Sequence, residues 1–237
     1  MNFSREKLLY RKLKGKGFYP AHVAEVGVYL PQTSNVINYI QQGVRTTLVE
    51  ANPYYAQIIK DYFAGHCHVT LHQVAIYDRE GTIDLHYCAA SSFVSTLETS
   101  PAIANDTYQK CDADKFTVPA KKFDSIDDGT IDLLSIDIEG CEWYVLKHMK
   151  SRPAVISVET HGKHYVNPFI SEILHWMEKN GYQLWYKDSN DSVYIRQGLF
   201  EITLWDRLQN YLTEWRLNWQ RTKAHWKNVF AGKLRKR

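Results

Sequence analysis

The sequence predicts a doubly wound, mostly parallel α/β sheet, and three observations carry that expectation. Short β-branched runs alternate with helical-period segments through residues 23–196, at the spacing of βαβ units. Hydrophobic residues make up 44% and charged residues 23% of the 237, a globular balance with enough chain to bury a core. No apolar run approaches the ~20 residues that cross a bilayer, and the N-terminus lacks the apolar stretch of a secretory signal. The four cysteines are widely spaced without a C-x-x-C pair, which argues against a zinc knuckle or a disulfide framework. A cytoplasmic protein is expected.

Each element follows in order. Residues 23–30, VAEVGVYL, form a buried strand that stops at Pro31. SNVINYIQQG places Val36, Ile37 and Ile40 at helical spacing, with Gly43 as the stop. TTLVEANP is a second strand ending in Glu50, and Pro53 opens the next helix. HVTLHQVAIY is a third strand, and REGTIDLHYC alternates like a hairpin arm after the turn at Glu80-Gly81. A polar loop over roughly 90–115 precedes the short strand FTVPAKKF. IDLLSIDI is the fourth core strand with CEWYVLKHM as its helix. AVISVETH is the fifth, and a helix through NPFISEILHWMEKNG leads to the closing strands YQLWYKD and SVYIR.

In such a sheet ligands bind beyond the carboxyl ends of the strands. Those ends read EVGVYLPQTS, VEANP, SIDIEG and VETH, and each carries a carboxylate. Glu50, 23 residues after Gly27, is placed to accept hydrogen bonds from an adenosine ribose; the competing reading is an acidic helix start beside the Asn52-Pro53 cap. The loop after the first strand holds one glycine and lacks G-x-G-x-x-G, which weighs against NAD or FAD, whose diphosphate needs close backbone approach at several points. A cofactor without phosphates needs fewer glycines, and S-adenosylmethionine is such a cofactor.

Together AEVGVYLPQTSNV, TLVEANP, ASSFVSTL, IDLLSIDIEGCEWYVLK and ISVETH resemble the FkbM-type family of S-adenosylmethionine-dependent methyltransferases. The resemblance covers roughly residues 23–195, and its most specific piece is D-x-E-G-x-E, from Asp137 to Glu142. It implies a Rossmann-like class I methyltransferase sheet of about seven strands, the last antiparallel, and methyl transfer to hydroxyl oxygens, often on sugars or polyketides. It also implies that Glu25, Gly27, Tyr29 and Ser34 lie in the cofactor loop. Glu50, Ala51, Asn52 and Ala75 would flank the adenosine, and Asp137 the transferable methyl. Three positions depart from the family pattern: Glu25 stands where many members have aspartate, Pro31 where many have a second glycine, and Ser135 where many have lysine.

A sugar hydroxyl is a poor nucleophile, so a base within reach is useful. His161, Asp137 and Glu139 are the candidate catalytic residues, and His161 is the expected base because imidazole titrates near neutrality. Glu139, Glu159 and Ser92 are expected to bind substrate, with Ser91 and Asn105 as further polyol contacts from the loop. An acid and histidine cluster of this kind also fits an oxygen-rich metal site, but no metal is expected. Glu142 reads as a surface or capping acid. His66, Cys67, His68 and His72 lie at the opposite edge and read as a surface group.

Charge is segregated. Residues 1–20 carry +5, residues 21–198 carry −8 and residues 199–237 carry +6. The chain is accordingly divided into a basic N-terminal segment (1–20), a methyltransferase domain (21–198) and a basic, Trp-rich helical arm (199–237). In the arm, Trp205, Leu208, Leu212, Trp215, Trp219, Thr222, Trp226 and Val229 step by three and four, a heptad stripe. Three readings stand for it: packing on its own domain, pairing with a second copy as a homodimer, or lying on an anionic membrane at the inner face. Nucleic acid is not expected, since no recognition motif accompanies the charge. The functional expectation is an O-methyltransferase acting on a sugar hydroxyl of a glycan or glycolipid precursor. Its rival is a non-catalytic membrane- or partner-binding module on a degenerate methyltransferase fold.

Overall fold

The computed structural model describes residues 6–88, 92–106 and 111–234. Its centre is a seven-stranded sheet in the order β10-β11-β9-β8-β1-β2-β3. The strands are β1 (His22–Val26), β2 (Arg45–Val49), β3 (Val69–His72), β8 (Leu133–Ile136), β9 (Val155–Glu159), β10 (Tyr182–Lys187) and β11 (Asp191–Arg196). Pairings from β3 through β9 are parallel, and β11 enters antiparallel between β9 and β10. The last strand is therefore the antiparallel one, as expected.

Alternation along the strands makes the two faces. Val23, Leu48, Leu133 and Val155 join a core under α1 (Leu8–Gly15), α2 (Ile37–Gln41) and α3 (Pro53–Tyr62). Ala24, Val26, Leu134, Ile136 and Ile156 point the other way, to α5 (Glu142–Lys147) and α6 (Ile170–Lys179). The basic N-terminal segment contributes to the first core, where Leu9, Tyr10 and Leu13 are buried. A period of two on the strands and helices on both sides is the doubly wound arrangement.

Boundaries differ from the sequence expectation in two places. β1 ends at Val26, because Gly27 turns into the left-handed region at φ 86°. The third run splits: β3 stays in the main sheet, while β4 (Ala75–Ile76) leaves it to pair with β7 (Lys115–Lys121). With β5 (Gly81–His86) and β6 (Phe93–Val94) these strands make a second, four-stranded sheet in the order β4-β7-β5-β6. The hairpin arm thus pairs with the following strand. The loop after it folds as β6 and α4 (Pro101–Asp106); Ser91 and the side chain of Asn105 lie outside the described residues.

The last element, α7 (Leu204–Leu234), docks its first turns on β10. No helix among the described residues is long and apolar enough to cross a membrane.

Candidate active site

Because β1, β2, β8 and β9 run parallel, their carboxyl ends meet at one edge, and there a cavity of about 590 Å³ opens. Its walls carry seven carboxylates and no Lys, Arg or His among the described residues. Glu25, Gly27, Tyr29, Glu50, Ala51, Asn52, Ala75, Ser92, Asp137, Glu139 and Glu159 all line it. Of the described residues expected to catalyse or to bind cofactor, the structure leaves Ser34 and His161 off these walls.

Gly27 makes the close approach possible. A Cβ there would lie 1.7 Å from the carbonyl oxygen of Asp137, so no side chain fits between β1 and β8. Gly27 N–H donates to the Val49 carbonyl at 2.9 Å and Asp137 N–H to the Val26 carbonyl at 2.9 Å, which locks the three strand ends together.

Glu50 gathers the loop that follows. Its Oε2 accepts from the N–H groups of Val28 (3.2 Å) and Tyr29 (2.9 Å), and its Oε1 from Asn52 N–H (2.8 Å). The Ala51 N–H adds a further contact to the same carboxylate, so Glu50 organises this corner of the wall as well as lining it. Burial raises the Glu50 pKa, opposed by these N–H donors. Asn52 also caps α3 through Tyr54 N–H at 2.9 Å, so the helix-start reading and the site reading both hold for this corner.

Glu25 is held from behind. Ser34 donates its hydroxyl to Oε2, and Asn35 N–H donates to Oε1 at 2.8 Å. Ser34 therefore acts through Glu25 and does not face the cavity. Burial pushes the Glu25 pKa up to about 7, with Ser34 and Asn35 pulling against it. Ser135, where the family pattern has lysine, pairs in register with Glu25 and accepts from Asn35 Nδ2 at 3.1 Å. It ties the loop to β8 without supplying a cation.

The D-x-E-G-x-E block is a braced turn. Glu142 is fully buried, not on the surface. Its carboxylate accepts from Ile138 N–H (2.9 Å), from Gly140 N–H (3.1 Å) and from the Asn167 amide. That brace holds Glu139 in the left-handed region at φ 58°. Tyr29 is the other non-glycine residue there, at φ 59°, and its ring packs edge-on to Tyr55 at 4.5 Å. Among the described residues these two are the full set, and both line the cavity. Such backbone costs roughly 1–2 kcal/mol and persists where surrounding structure over-determines it.

Ligating oxygens of Asp137, Glu142 and Glu159 lie within 4.8 Å of one another. Burial is the first cause of a raised pKa in all three: Asp137 moves to about 6, Glu142 to about 7, and Glu159 upward with the charges of Asp137, Glu139 and Glu142 adding. Asp137 Oδ1 and Glu159 Oε2 are enclosed and have no hydrogen-bond partner among the described residues. The group is thus poised to hold protons or to meet a cation. Glu142, saturated by its donors, is the least available of the three to a metal. His66, Cys67, His68 and His72 form no ligating group; the three acids are the one such group among the described residues.

His161 departs from the expectation. Its Nδ1 shares a hydrogen bond with Thr160 Oγ1 at 2.8 Å, and its Nε2 meets the Asp188 carbonyl at 3.1 Å. Both ring nitrogens are thus engaged, and the chain after β9 bends so that the Thr160 and His161 N–H groups donate to the Asn190 carbonyl of the β10–β11 turn. That turn supplies what the sequence reading missed: Asp188, Ser189, Asn190 and Asp191 line the cavity. Asp191 accepts from Ser157 Oγ at 3.2 Å, and burial raises its pKa, with Asp137 and Asp188 adding. The signal was the acid-rich KDSND at a strand junction, but its place depends on where β11 inserts.

These residues fit S-adenosylmethionine on three points. The glycine at the strand end admits close backbone approach, the cavity has the size of a cofactor pocket, and a wall of acids without a lining Lys, Arg or His among the described residues suits a cationic ligand better than a diphosphate.

The family model described as the methyltransferase FkbM domain matches residues 22–184. No match was found among curated proteins. Among solved structures, one match is the precorrin-6y C5,15-methyltransferase of Geobacter metallireducens, at 14% identity and TM-score 0.39, covering 82% of this chain and 90% of that one. A second is a SAM-dependent methyltransferase of Aquifex aeolicus, at 12% identity and TM-score 0.42, covering 80% and 89%. A third is a putative S-adenosylmethionine-dependent methyltransferase of Methanococcus maripaludis, at 8% identity and TM-score 0.43, covering 83% and 86%. With more than half its length matched by the family model, this chain belongs to the FkbM methyltransferase family.

Proposed function

We propose that the protein methylates a hydroxyl oxygen, on a sugar of a glycan or glycolipid precursor, with S-adenosylmethionine as donor. The observation that carries this reading is the cavity wall: seven carboxylates and no basic side chain among the described residues. Such a wall repels a phosphate or carboxylate acceptor and accepts hydrogen bonds from a polyol.

Bound S-adenosylmethionine supplies an electrophilic methyl group on a sulfonium. Glu50 would accept a hydrogen bond from the ribose, between the apolar walls of Ala51 and Ala75. Glu25, set by Ser34 and Asn35, would meet the ammonium of the methionine portion. Asp137 is the base we favour in place of His161. It lines the cavity with an enclosed oxygen, and a pKa near 6 suits proton removal at neutral pH. Glu139, Glu159, Ser92 and the Asp188–Asp191 turn would orient the acceptor, and positioning supplies most of the rate.

Calorimetric titration with S-adenosylhomocysteine tests the reading. Micromolar binding is expected, with Glu50→Ala weakening it at least about tenfold, or ~1.4 kcal/mol, and no heat from NADH. Folded protein that fails to bind the nucleoside would sink the enzyme reading.

A further inference from the structure

The first half of the arm's heptad stripe, from Trp205 to Trp215, faces away from its own domain. Asn210 accepts from Lys187 N–H at 2.9 Å and donates to the Trp185 carbonyl at 2.8 Å, so it caps the free edge of β10. Asp206 reaches Lys16 at 3.4 Å, and Leu217 is buried. At about 100° per residue, Asp206, Asn210 and Leu217 share one side of α7, and Trp205, Leu208, Leu212 and Trp215 fall on the opposite side. Those four are 63%, 45%, 51% and 60% exposed. A chain that stabilises its own helix by burying a stripe would turn it the other way.

We propose that this outward face of α7 docks on an anionic lipid bilayer surface. The inference is independent of the catalytic reading, and charge selects the occupant. Residues 204–234 hold six Lys/Arg and two acids. Both acids are committed to the domain: Asp206 to Lys16 and Glu214 to Lys187 at 2.6 Å. The exposed side of the arm is left cationic, with Arg207 along one border of the stripe and Arg216 along the other. Two such arms brought face to face would set like charges together, which disfavours a second copy. Phospholipid headgroups complement the same pattern. Residue type agrees, since tryptophan rings belong at the headgroup level more than in a helix–helix seam, where their bulk is hard to seat. No bilayer crossing is implied; the helix lies along the surface.

Co-sedimentation of the full chain with lipid vesicles is the test. Binding is expected to vesicles of phosphatidylcholine mixed with phosphatidylglycerol, with a blue shift of tryptophan emission, and not to phosphatidylcholine alone. A Trp205→Ser/Trp215→Ser variant should bind at least about tenfold more weakly. So should Arg207→Gln/Arg216→Gln, which keeps the stripe, and so should the wild type at high salt. Absence of binding by folded wild type overturns the proposal. Binding that ignores lipid charge and salt overturns it as well. A dimer in ultracentrifugation that the tryptophan variant dissociates would assign the face to a second copy instead.

Discussion

In the cavity wall, Glu25 and Glu159 are no more than 4% exposed, whereas along α7 Trp205 and Trp215 are 63% and 60% exposed. One region buries charge and the other exposes tryptophan, so each inverts ordinary burial. The two inversions have different energetic footings. Charge in the cavity is tied into the fold through backbone N–H donors, a glycine contact and two left-handed residues, and disturbing it disturbs the sheet. The arm's outward face touches little of the domain, and disturbing it leaves the fold alone. A buried acid here belongs to both structure and site; an exposed tryptophan belongs to an interaction alone.

The strongest way to break that contrast is Gly27→Ala. The added carbon would sit 1.7 Å from a backbone oxygen of β8 at φ 86°. Left-handed strain and overpacking together give a loss of about 3–5 kcal/mol in urea unfolding. Near wild-type stability would mean that the edge yields and the acids are not locked as described.

Stability against pH is the next test. The folded pKa of Glu25 is raised to about 7 and that of Asp137 to about 6, above ordinary values of 4.5 and 3.8. The folded state holds protons that the unfolded chain releases, so this contribution is complete below the unfolded pKa and is lost as pH rises through the folded one. Unliganded protein should therefore lose on the order of 4 kcal/mol between about pH 5 and about pH 8. A profile that climbs over that range would show a compensating cation in the cluster.

The smallest effect is expected from the arm. Trp205→Ser/Trp215→Ser should unfold within about 0.5 kcal/mol of wild type, as exposed positions do. A larger loss would mean that the stripe covers part of its own domain after all.

The alternation of strand and helix, the Asn52 cap, the acids at four strand ends and the glycine between them are local patterns. Periodicity, capping and strand-end chemistry act within a few residues, so the sequence by itself determined the fold class and most of the cavity wall. Tertiary structure decided the rest. β11 inserts antiparallel between β9 and β10, and only that placement carries Asp188 and Asp191 to the cavity and turns His161 toward the Asp188 carbonyl. Glu142 became a brace because Asn167, 25 residues further on, came to meet it. The stripe of α7 is plain in the sequence, but its outward direction was fixed by Asn210 pairing with the edge of β10. Long-range strand pairing sets these positions, and no local pattern encodes which distant partner arrives.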